Sequence, residues 1–434
     1  MNKSELIHKI ESYIPNGLLK LYRGSKRYMR REIQKVANKK ALQKAKNKKG
    51  PLNVLFMATY NSTWKYDSLY QQMLLDPIFN ANILVCPVVN RGKGHMIEAM
   101  HTCCKYFEQR GYTYIKTYDE VTNTYIDAHS FKPDIIFYTN PYKGLIDDKY
   151  YQDKFSKALT CYVNYAFNNH KHEWGFNLPF HQFLWRYYIE CDSNLQDVKL
   201  VSPNKAANCV VTGYPMFDAF VNGTTTGKDW KLNDSQHKRI VWSPHHTIDG
   251  RDDMIKFSTF LLYYDKMLSF AERYKDSIEI AFKPHPLLKV NLYEHPKWGK
   301  VRTDAYYAQW ANGENTTLVD GDYIDLFKTS DAMINDSGSF LIEYLYTQKP
   351  CLYLNNYNRQ EGSNVAALKA LDSWYRATTE QEIEQFITDV VIEGKDTMEK
   401  TREAFYKEML LPPNGCSVAE NIVNDIKKAL NKQI

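Results

Sequence analysis

A chain of 434 residues is long enough for two or three domains and an ample core. No signal peptide opens it, and no apolar run approaches the length needed to span a bilayer. Its eight cysteines form no Cys-x-x-Cys pair, which predicts reduced, buried thiols in a cytoplasmic protein.

The net charge of +6 hides an asymmetry. Lys20 to Lys49 holds thirteen Lys or Arg and one acid, Glu32, so the remainder of the chain is acidic. Residues 1–50 read as a basic arm, helical from Tyr22 to Lys49, with an intermittent apolar face from Leu18, Leu19, Tyr22, Tyr28, Met29, Ile33, Val36 and Leu42. A basic amphipathic helix predicts peripheral attachment of residues 20–49 to an anionic surface, here the inner face of the cell membrane. A solvated arm without a partner is the plainer alternative. Nucleic acid is not expected as a partner, because the rest of the chain is acidic and carries no nucleic-acid-binding motif. Tyrosine is abundant, at 33 residues. Its ring stacks on bases and sugars, although a drift in composition explains the count equally well.

Residues 51–235 alternate short apolar runs with helical segments. Strands are predicted over Asn53 to Ala58, Ala81 to Val89, Thr113 to Thr117, Pro133 to Tyr138 and Leu159 to Tyr165, with helices over Lys65 to Leu75 and Met96 to Gly111, and Cys209 to Pro215 reads as the last piece of this domain. Such alternation means a parallel sheet with right-handed crossovers. Asn222 to Lys238 has the densest loop composition and marks a linker. Residues 236–410 repeat the pattern, with strands at Ile240 to Ser243, Ile278 to Lys283, Thr317 to Val319, Ala332 to Ile334 and Cys351 to Leu354. Helices are predicted over Ser258 to Arg273, Phe340 to Tyr346, Glu380 to Ile392 and Asp396 to Met409. Residues 411–434 hold a last amphipathic helix, Val418 to Leu430.

Three of the later strands end in chemistry. The first runs into Pro244-His245-His246-Thr247 and the second into Lys283-Pro284-His285-Pro286. The third runs into Asn335-Asp336-Ser337-Gly338-Ser339, a turn that leads to a helix. Prolines on both sides of His285 fix its backbone and aim the ring. The small hydroxyl turn leaves backbone N–H groups at a positive helix end, which suits phosphate. In open parallel sheets the ligand crevice lies at strand C-termini. Together these residues read as a site in which His285, His246 and His245 are the catalytic candidates, with Lys283, Asp336, Ser337, Gly338 and Ser339 binding a donor.

At these residues the chain resembles the CDP-glycerol:poly(glycerophosphate) glycerophosphotransferases of teichoic acid and capsule synthesis. The Lys-Pro-His-Pro element matches the family's His-Pro after a strand. Asp336 and Ser339 fit the first and last positions of its Asp-Tyr-Ser-Ser, and Lys349-Pro350 fits its final Lys/Arg-Pro step. The resemblance covers Ile240 to Leu354. The family's Trp-His-Gly-Thr element is absent, and Cys161 to Phe167 occupies its place.

The resemblance implies an α/β protein of two facing Rossmann-like domains, the GT-B arrangement, with the last helix crossing back to the first. It implies transfer of an alditol phosphate from a CDP-linked donor to a lipid-linked or polymer acceptor, releasing CMP. It also implies ribose contacts from Glu343. A solvated helix carboxylate is the alternative there. Asp320 and Asp322 either hydrogen-bond the nucleotide or cap the helix that follows.

The general base is open among His245, His246, His170, His172 and His181, since imidazole titrates near neutrality. The run Asn168 to Trp174 reads as a surface loop, with an anionic acceptor as its other use. No cofactor is expected. No metal is expected either, because no Asp-x-Asp element stands in a convincing place and Asp252-Asp253 is adjacent rather than spaced. Two other functions remain: a glycosyltransferase of the same fold, and a non-catalytic scaffold of a capsule assembly.

Overall fold

The computed structural model describes residues 16–232, 234–248, 257–338, 340–354 and 362–432. Helix α1 (Asn16–Asn47) leads into the first half. There β1 (Leu52–Ala58), α2 (Asp67–Leu75), β2 (Phe79–Val85), α3 (Lys93–Gln109) and β3 (Tyr114–Lys116) come first. A small antiparallel hairpin follows, β4 (Tyr118–Asp119) with β5 (Thr124–Tyr125). Then come β6 (Ile135–Tyr138), β7 (Leu159–Val163), α4 (Pro179–Phe183), β8 (Arg186–Ile189), α5 (Asp192–Val201), β9 (Cys209–Val211) and α6 (Met216–Asn222). The seven main strands form one parallel sheet in the order β3-β2-β1-β6-β7-β8-β9.

The second half begins with β10 (Lys238–Ser243), α7 (Phe260–Arg273), β11 (Ile278–Phe282), α8 (Pro286–Glu294), α9 (Gly299–Asn312) and β12 (Thr316–Leu318). It continues through α10 (Ile324–Thr329), β13 (Ala332–Asn335), α11 (Phe340–Glu343), β14 (Cys351–Leu354), α12 (Val365–Asp372), β15 (Tyr375–Ala377), α13 (Glu380–Gln385) and α14 (Glu399–Phe405). Its six strands are parallel in the order β12-β11-β10-β13-β14-β15. The strand order reverses between β10 and β13, the kind of switch point that opens a crevice. The strand ends carrying His245, His285 and Asp336 are therefore neighbours at that crevice.

Near-continuous apolar runs form these strands because helices cover both faces. All five residues of β11 are buried. One of them is charged: Glu279 accepts hydrogen bonds from the Lys231 and Leu232 amides at 2.7 and 3.1 Å, which fastens the linker to the second sheet.

The last helix, α15 (Val418–Ala429), returns to the first half. Val418, Ile422, Val423 and Ile426 join the core around β1 and α2. Full burial of each such side chain is worth about 1.5–3 kcal/mol. The Asp218 carboxylate accepts from the Val418 and Ala419 amides at 2.8 and 2.9 Å, capping the helix from α6. Gly213, at φ +93°, allows this approach: a Cβ there would lie 2.9 Å from Val418 Cγ2.

Some elements differ from the sequence expectation. Strand β2 starts at Phe79 and ends at Val85, so the apolar run to Val89 is partly loop. The segment expected to be helical over Phe340 to Tyr346 has one α turn, Phe340–Glu343, and then a 3-10 turn, Tyr344–Thr347. The segments after α13 and α14 widen into π-helical turns, Phe386–Ile392 and Tyr406–Leu410.

Candidate active site

The site is assembled from the three adjacent strand ends. After β10, the His245 amide donates to Asp336 Oδ1 at 2.6 Å. The other Asp336 oxygen accepts from the Thr259 amide at 2.5 Å and its hydroxyl at 2.8 Å. Asp336 is fully buried. Burial raises its carboxyl to about 6, against the pull of these donors. Both oxygens are committed to the protein, so Asp336 positions the His245 loop against the start of α7. The β11 loop is tied to the same place, since the His285 amide donates to the Pro244 carbonyl at 3.0 Å.

The result is a cluster of three imidazoles. One ring nitrogen from each of His245, His246 and His285 lies within 4.8 Å of the other two. Ring centroids are 4.3 Å apart for His245 and His246, and 4.3 Å for His246 and His285. Such spacing fits either a metal ion or an anion, and the tautomers separate the two. His285 Nδ1 accepts from the Leu287 amide at 3.1 Å, the cap of α8. His245 Nδ1 accepts from the Thr247 amide at 3.4 Å. A neutral ring that accepts at Nδ1 carries its proton on Nε2, which makes Nε2 a donor and not a metal ligand. Asn291 Nδ2 stands 3.4 Å from His246 Nδ1, in a position to impose the same tautomer. With these tautomers the cluster presents N–H donors, which suits an anion, while the spacing of its ring nitrogens also suits a metal ion.

Burial lowers the His285 pKa from 6.5 to about 4, with His246 and Lys283 adding to the effect. Burial also lowers His246. Between pH 6.5 and about 4, the unfolded chain takes up a proton that the folded His285 refuses. Stability contributed at this position therefore falls as pH drops through that window. The expected result of a histidine NMR titration is a His285 ring that protonates near pH 4. Protonation near 6.5 would contradict the burial of this ring.

Lys283, two residues before His285, is 5% exposed. Burial lowers its pKa, while Asp320, Asp322 and Asp229 favour the charged form. Asp322 is also paired with Arg110 of the first half at 2.8 Å. The Asp320-Gly321-Asp322 segment thus faces protein cations. Asp252-Asp253 lies outside the described residues, as does Ser339. Ser337 is buried, with its amide donating to Asn335 Oδ1 at 2.9 Å. Gly338 lines the crevice.

Glu343 is 3% exposed. One oxygen accepts from the Tyr214 hydroxyl at 2.9 Å and the other from the Tyr323 hydroxyl. Glu343 is thus not the solvated carboxylate of the alternative reading but a buried bridge between the two halves. Each hydroxyl left unpaired by its loss would cost about 1–3 kcal/mol.

Beside the histidines a cavity of about 620 Å³ opens between the halves. Its first-half lining includes Asn168, Asn169, His170, His172 and Trp174, from the segment that the sequence suggested was a surface loop. The segment is such a loop, exposed over Lys171 to Trp174, and it is also pinned across the crevice. Asn169 Nδ2 donates to the Gly338 carbonyl at 2.6 Å, and the Lys171 amide to the Gly362 carbonyl at 3.0 Å. Asn364 Nδ2 donates to the Asn168 carbonyl at 3.0 Å. His170 and His172 line this cavity with His245. His181 does not: it is 3% exposed, its Nδ1 accepts from the Leu178 amide at 3.0 Å, and burial lowers its pKa to about 3. It is a packing residue, and the choice of base narrows to the crevice histidines.

The model of one protein family matches residues 198–428, just over half of the chain: CDP-Glycerol:Poly(glycerophosphate) glycerophosphotransferase. The chain belongs to this family of transferases. No curated protein matches it. Among solved structures, the wall teichoic acid polymerase TagF soaked with CDPG is 14% identical with a TM-score of 0.54, over 94% of this chain and 98% of that one. The S. aureus MnaA structure with UDP is 14% identical with a TM-score of 0.55, over 88% and 97%. UDP-GlcNAc 2-epimerase from Neisseria meningitidis bound to UDP-GlcNAc is 13% identical with a TM-score of 0.56, over 86% and 99%. At these identities the likeness is one of fold, and the fold is the GT-B type.

Proposed function

We propose that the protein transfers a glycerol phosphate, or another alditol phosphate, from a CDP-linked donor to a lipid-linked or polymer acceptor in teichoic acid or capsule synthesis. The acceptor hydroxyl oxygen attacks the phosphorus that carries the alditol. Its proton passes to a crevice histidine. The bond from that phosphorus to the CMP oxygen breaks, and the electron pair leaves with CMP. Negative charge grows on the leaving phosphate, and fixed donors aimed there lower the barrier. The observation that carries this reading is the convergence of His245, His246 and His285, two of them held with Nδ1 accepting. Lys283 adds positive charge near His285. Helix α11 is a single turn, so its dipole is small and the imidazoles take most of the anion binding.

Thermal-shift screening with CDP-glycerol, CDP-ribitol, UDP-sugars and GDP-sugars tests the reading. A shift confined to the CDP compounds, with CMP released on adding acceptor, is expected. A shift with UDP- or GDP-sugars alone supports a nucleotide-sugar glycosyltransferase, and no shift supports a scaffold.

Activity is expected to survive excess EDTA. The anion is met by N–H donors, and the acidic pair Asp320 and Asp322 faces Lys283 and Arg110. Loss on chelation, restored by magnesium or manganese, is the contrary result.

The proposed place of action is an anionic membrane surface. Among the described residues no helix is long and apolar enough to cross a membrane. Helix α1 instead exposes Met29, Ile33 and Val36, at 61, 68 and 54%. Their i, i+4, i+7 spacing puts them on one face. Lys40 and Lys44 line a shallow groove with Ile33 and Val36. An apolar stripe rimmed by lysines suits the headgroup boundary of a bilayer.

A further inference from the structure

The base of the crevice loop is held by a buried carboxylate that the transfer chemistry does not use. Glu190 directly follows β8 and is 3% exposed. One of its oxygens accepts from Asn164 Nδ2 at 2.6 Å and from the Asn168 amide at 3.2 Å. The other accepts from Asn194 Nδ2 at 3.1 Å, in the first turn of α5. Burial raises its carboxyl, and the asparagine donors pull it back. Burying a carboxylate is costly, and a full set of donors is what offsets that cost.

An ionised carboxylate accepts and never donates, so it dictates which way its amide neighbours point. Asn164 turns its NH2 to Glu190 and its oxygen to the Tyr187 hydroxyl, 2.9 Å away. Asn194 turns its NH2 to Glu190 and to the Asn168 carbonyl, at 3.1 Å each, which leaves its oxygen for the second half. The second half supplies the matching donor. Asn364 gives its oxygen to the Ala367 amide at 3.0 Å, the cap of α12, so its NH2 faces the first half. That NH2 donates to Asn194 Oδ1 and to the Asn168 carbonyl, both at 3.0 Å, and lies 3.2 Å from Asp197 Oδ2. With Asn194 turned the other way, two NH2 groups would meet at this buried joint. The neighbouring ties across the crevice follow from it in sequence: His170 bridges to Ser363, and the Lys171 amide reaches the Gly362 carbonyl.

We infer that Glu190 is a positioning residue: through Asn194 and Asn168 it sets the register in which the crevice loop of the first half closes on the second. His170 and His172 are thereby held on the same cavity as His245. The joint stands on these hydrogen bonds alone, whereas its effect on turnover rests on the transferase reading.

The test exchanges the polarity of the joint in the full chain. Glu190→Gln keeps the shape and the oxygen that meets Asn164 and Asn168, but sets an NH2 against Asn194 Nδ2. Adding Asn194→Asp restores a donor and an acceptor there, and the new carboxylate still accepts from Asn364. Hydrogen exchange is resolved to the Lys171 amide, with the amides of β7 as the control for the fold. The single variant is expected to exchange about tenfold faster at Lys171, on the order of one buried hydrogen bond, with β7 unchanged. The double variant is expected to return close to wild type. CMP release from CDP-glycerol onto poly(glycerol phosphate) should follow the same pattern, with kcat about tenfold lower in the single variant and recovered in the double. The dissociation constant for CDP-glycerol should stay nearly constant, because the candidate donor-binding residues all lie in the second half. Unchanged Lys171 exchange in Glu190→Gln, or a loss that the double variant does not repair, overturns the inference. Wild-type kcat in a single variant with fast Lys171 exchange overturns it too. If the single variant does not fold, the double decides: wild-type exchange upholds the joint, and fast exchange or failure to fold assigns Glu190 to packing. The expected exchange pattern without turnover in any protein, the unmodified one included, counts against the transferase reading and leaves the joint standing.

Discussion

His285→Ala is expected to lower kcat by about a hundredfold or more in a protein that still folds. Loss of one preorganised donor to a developing oxyanion costs about 2.7–4 kcal/mol. The ring is half-buried at the end of β11, between two prolines, with Nδ1 already accepting from Leu287. Its folded pKa near 4 keeps it neutral at pH 7, so it acts by giving a hydrogen bond from Nε2. An imidazolium that hands over a proton is a different mechanism, and His285→Gln separates the two. A glutamine amide donates a hydrogen bond but delivers no proton. Under the donor mechanism His285→Gln recovers a measurable part of the lost rate. Under the general-acid mechanism it is as poor as His285→Ala. Binding of the CDP donor by calorimetry should change much less than kcat, because the bond strengthens as charge develops. Activity within a few-fold of wild type, in a mutant with unchanged circular dichroism, would remove His285 from the chemistry.

The parts of this site that were legible in the sequence are those encoded locally. A short apolar run followed by proline and histidine says that a strand stops and a side chain is aimed, and it does so at His245 and His285 alike. Three such strand ends in one half were enough to place His245, His246, His285 and Asp336 near a crevice. Their adjacency comes from the strand order β11-β10-β13, which no local pattern carries. The role of Asp336 was hidden for the same reason. The acid stands in a turn, yet its partners are His245 and Thr259, 91 and 77 residues away.

The partners of Glu343 were not legible either. The resemblance implies a ribose contact there and carries nothing about what else the carboxylate meets. Tyr214 arrives from 129 residues away and Tyr323 from the other side, and together they take both oxygens. Asn168 to Trp174 has neither period and is the loop that this implies, but its place at the crevice was not legible. Its order comes from the far half of the chain, through Gly338, Gly362 and Asn364. Strand β8 (Arg186–Ile189) escaped notice because Arg-Tyr-Tyr-Ile neither alternates nor forms an aliphatic run, though Tyr187 and Tyr188 are buried.

Neutralising the exposed lysines of α1 is expected to release the protein from anionic vesicles. The helix is two surfaces in one. Ala41 and Ala45 are buried in the first-half core, and Lys44 and Lys48 reach the Asp134 carboxylate at 3.4 and 2.5 Å. Removing residues 1–49 would therefore open that core and confuse loss of attachment with loss of fold. Substitution on the outer face avoids this. Lys26, Lys39 and Lys40 are exposed, close to the stripe of Met29, Ile33 and Val36. Each surface lysine gains about 1 kcal/mol from an anionic leaflet, so changing all three to glutamine removes about 3 kcal/mol, roughly a hundredfold in partitioning. Co-sedimentation with phosphatidylglycerol vesicles reads that loss, and neutral vesicles should show little binding with or without the change. Raising salt should reproduce the loss in the unmodified protein, because screening shortens the attraction. Ile33→Ser with Val36→Ser should weaken binding further at every salt concentration, since the apolar contribution is not screened. The activity consequence distinguishes attachment from catalysis. A soluble acceptor should be used at the unmodified rate, and a membrane-embedded acceptor more slowly. Undiminished co-sedimentation of the lysine variant at low and high salt alike would show that α1 is not the anchor.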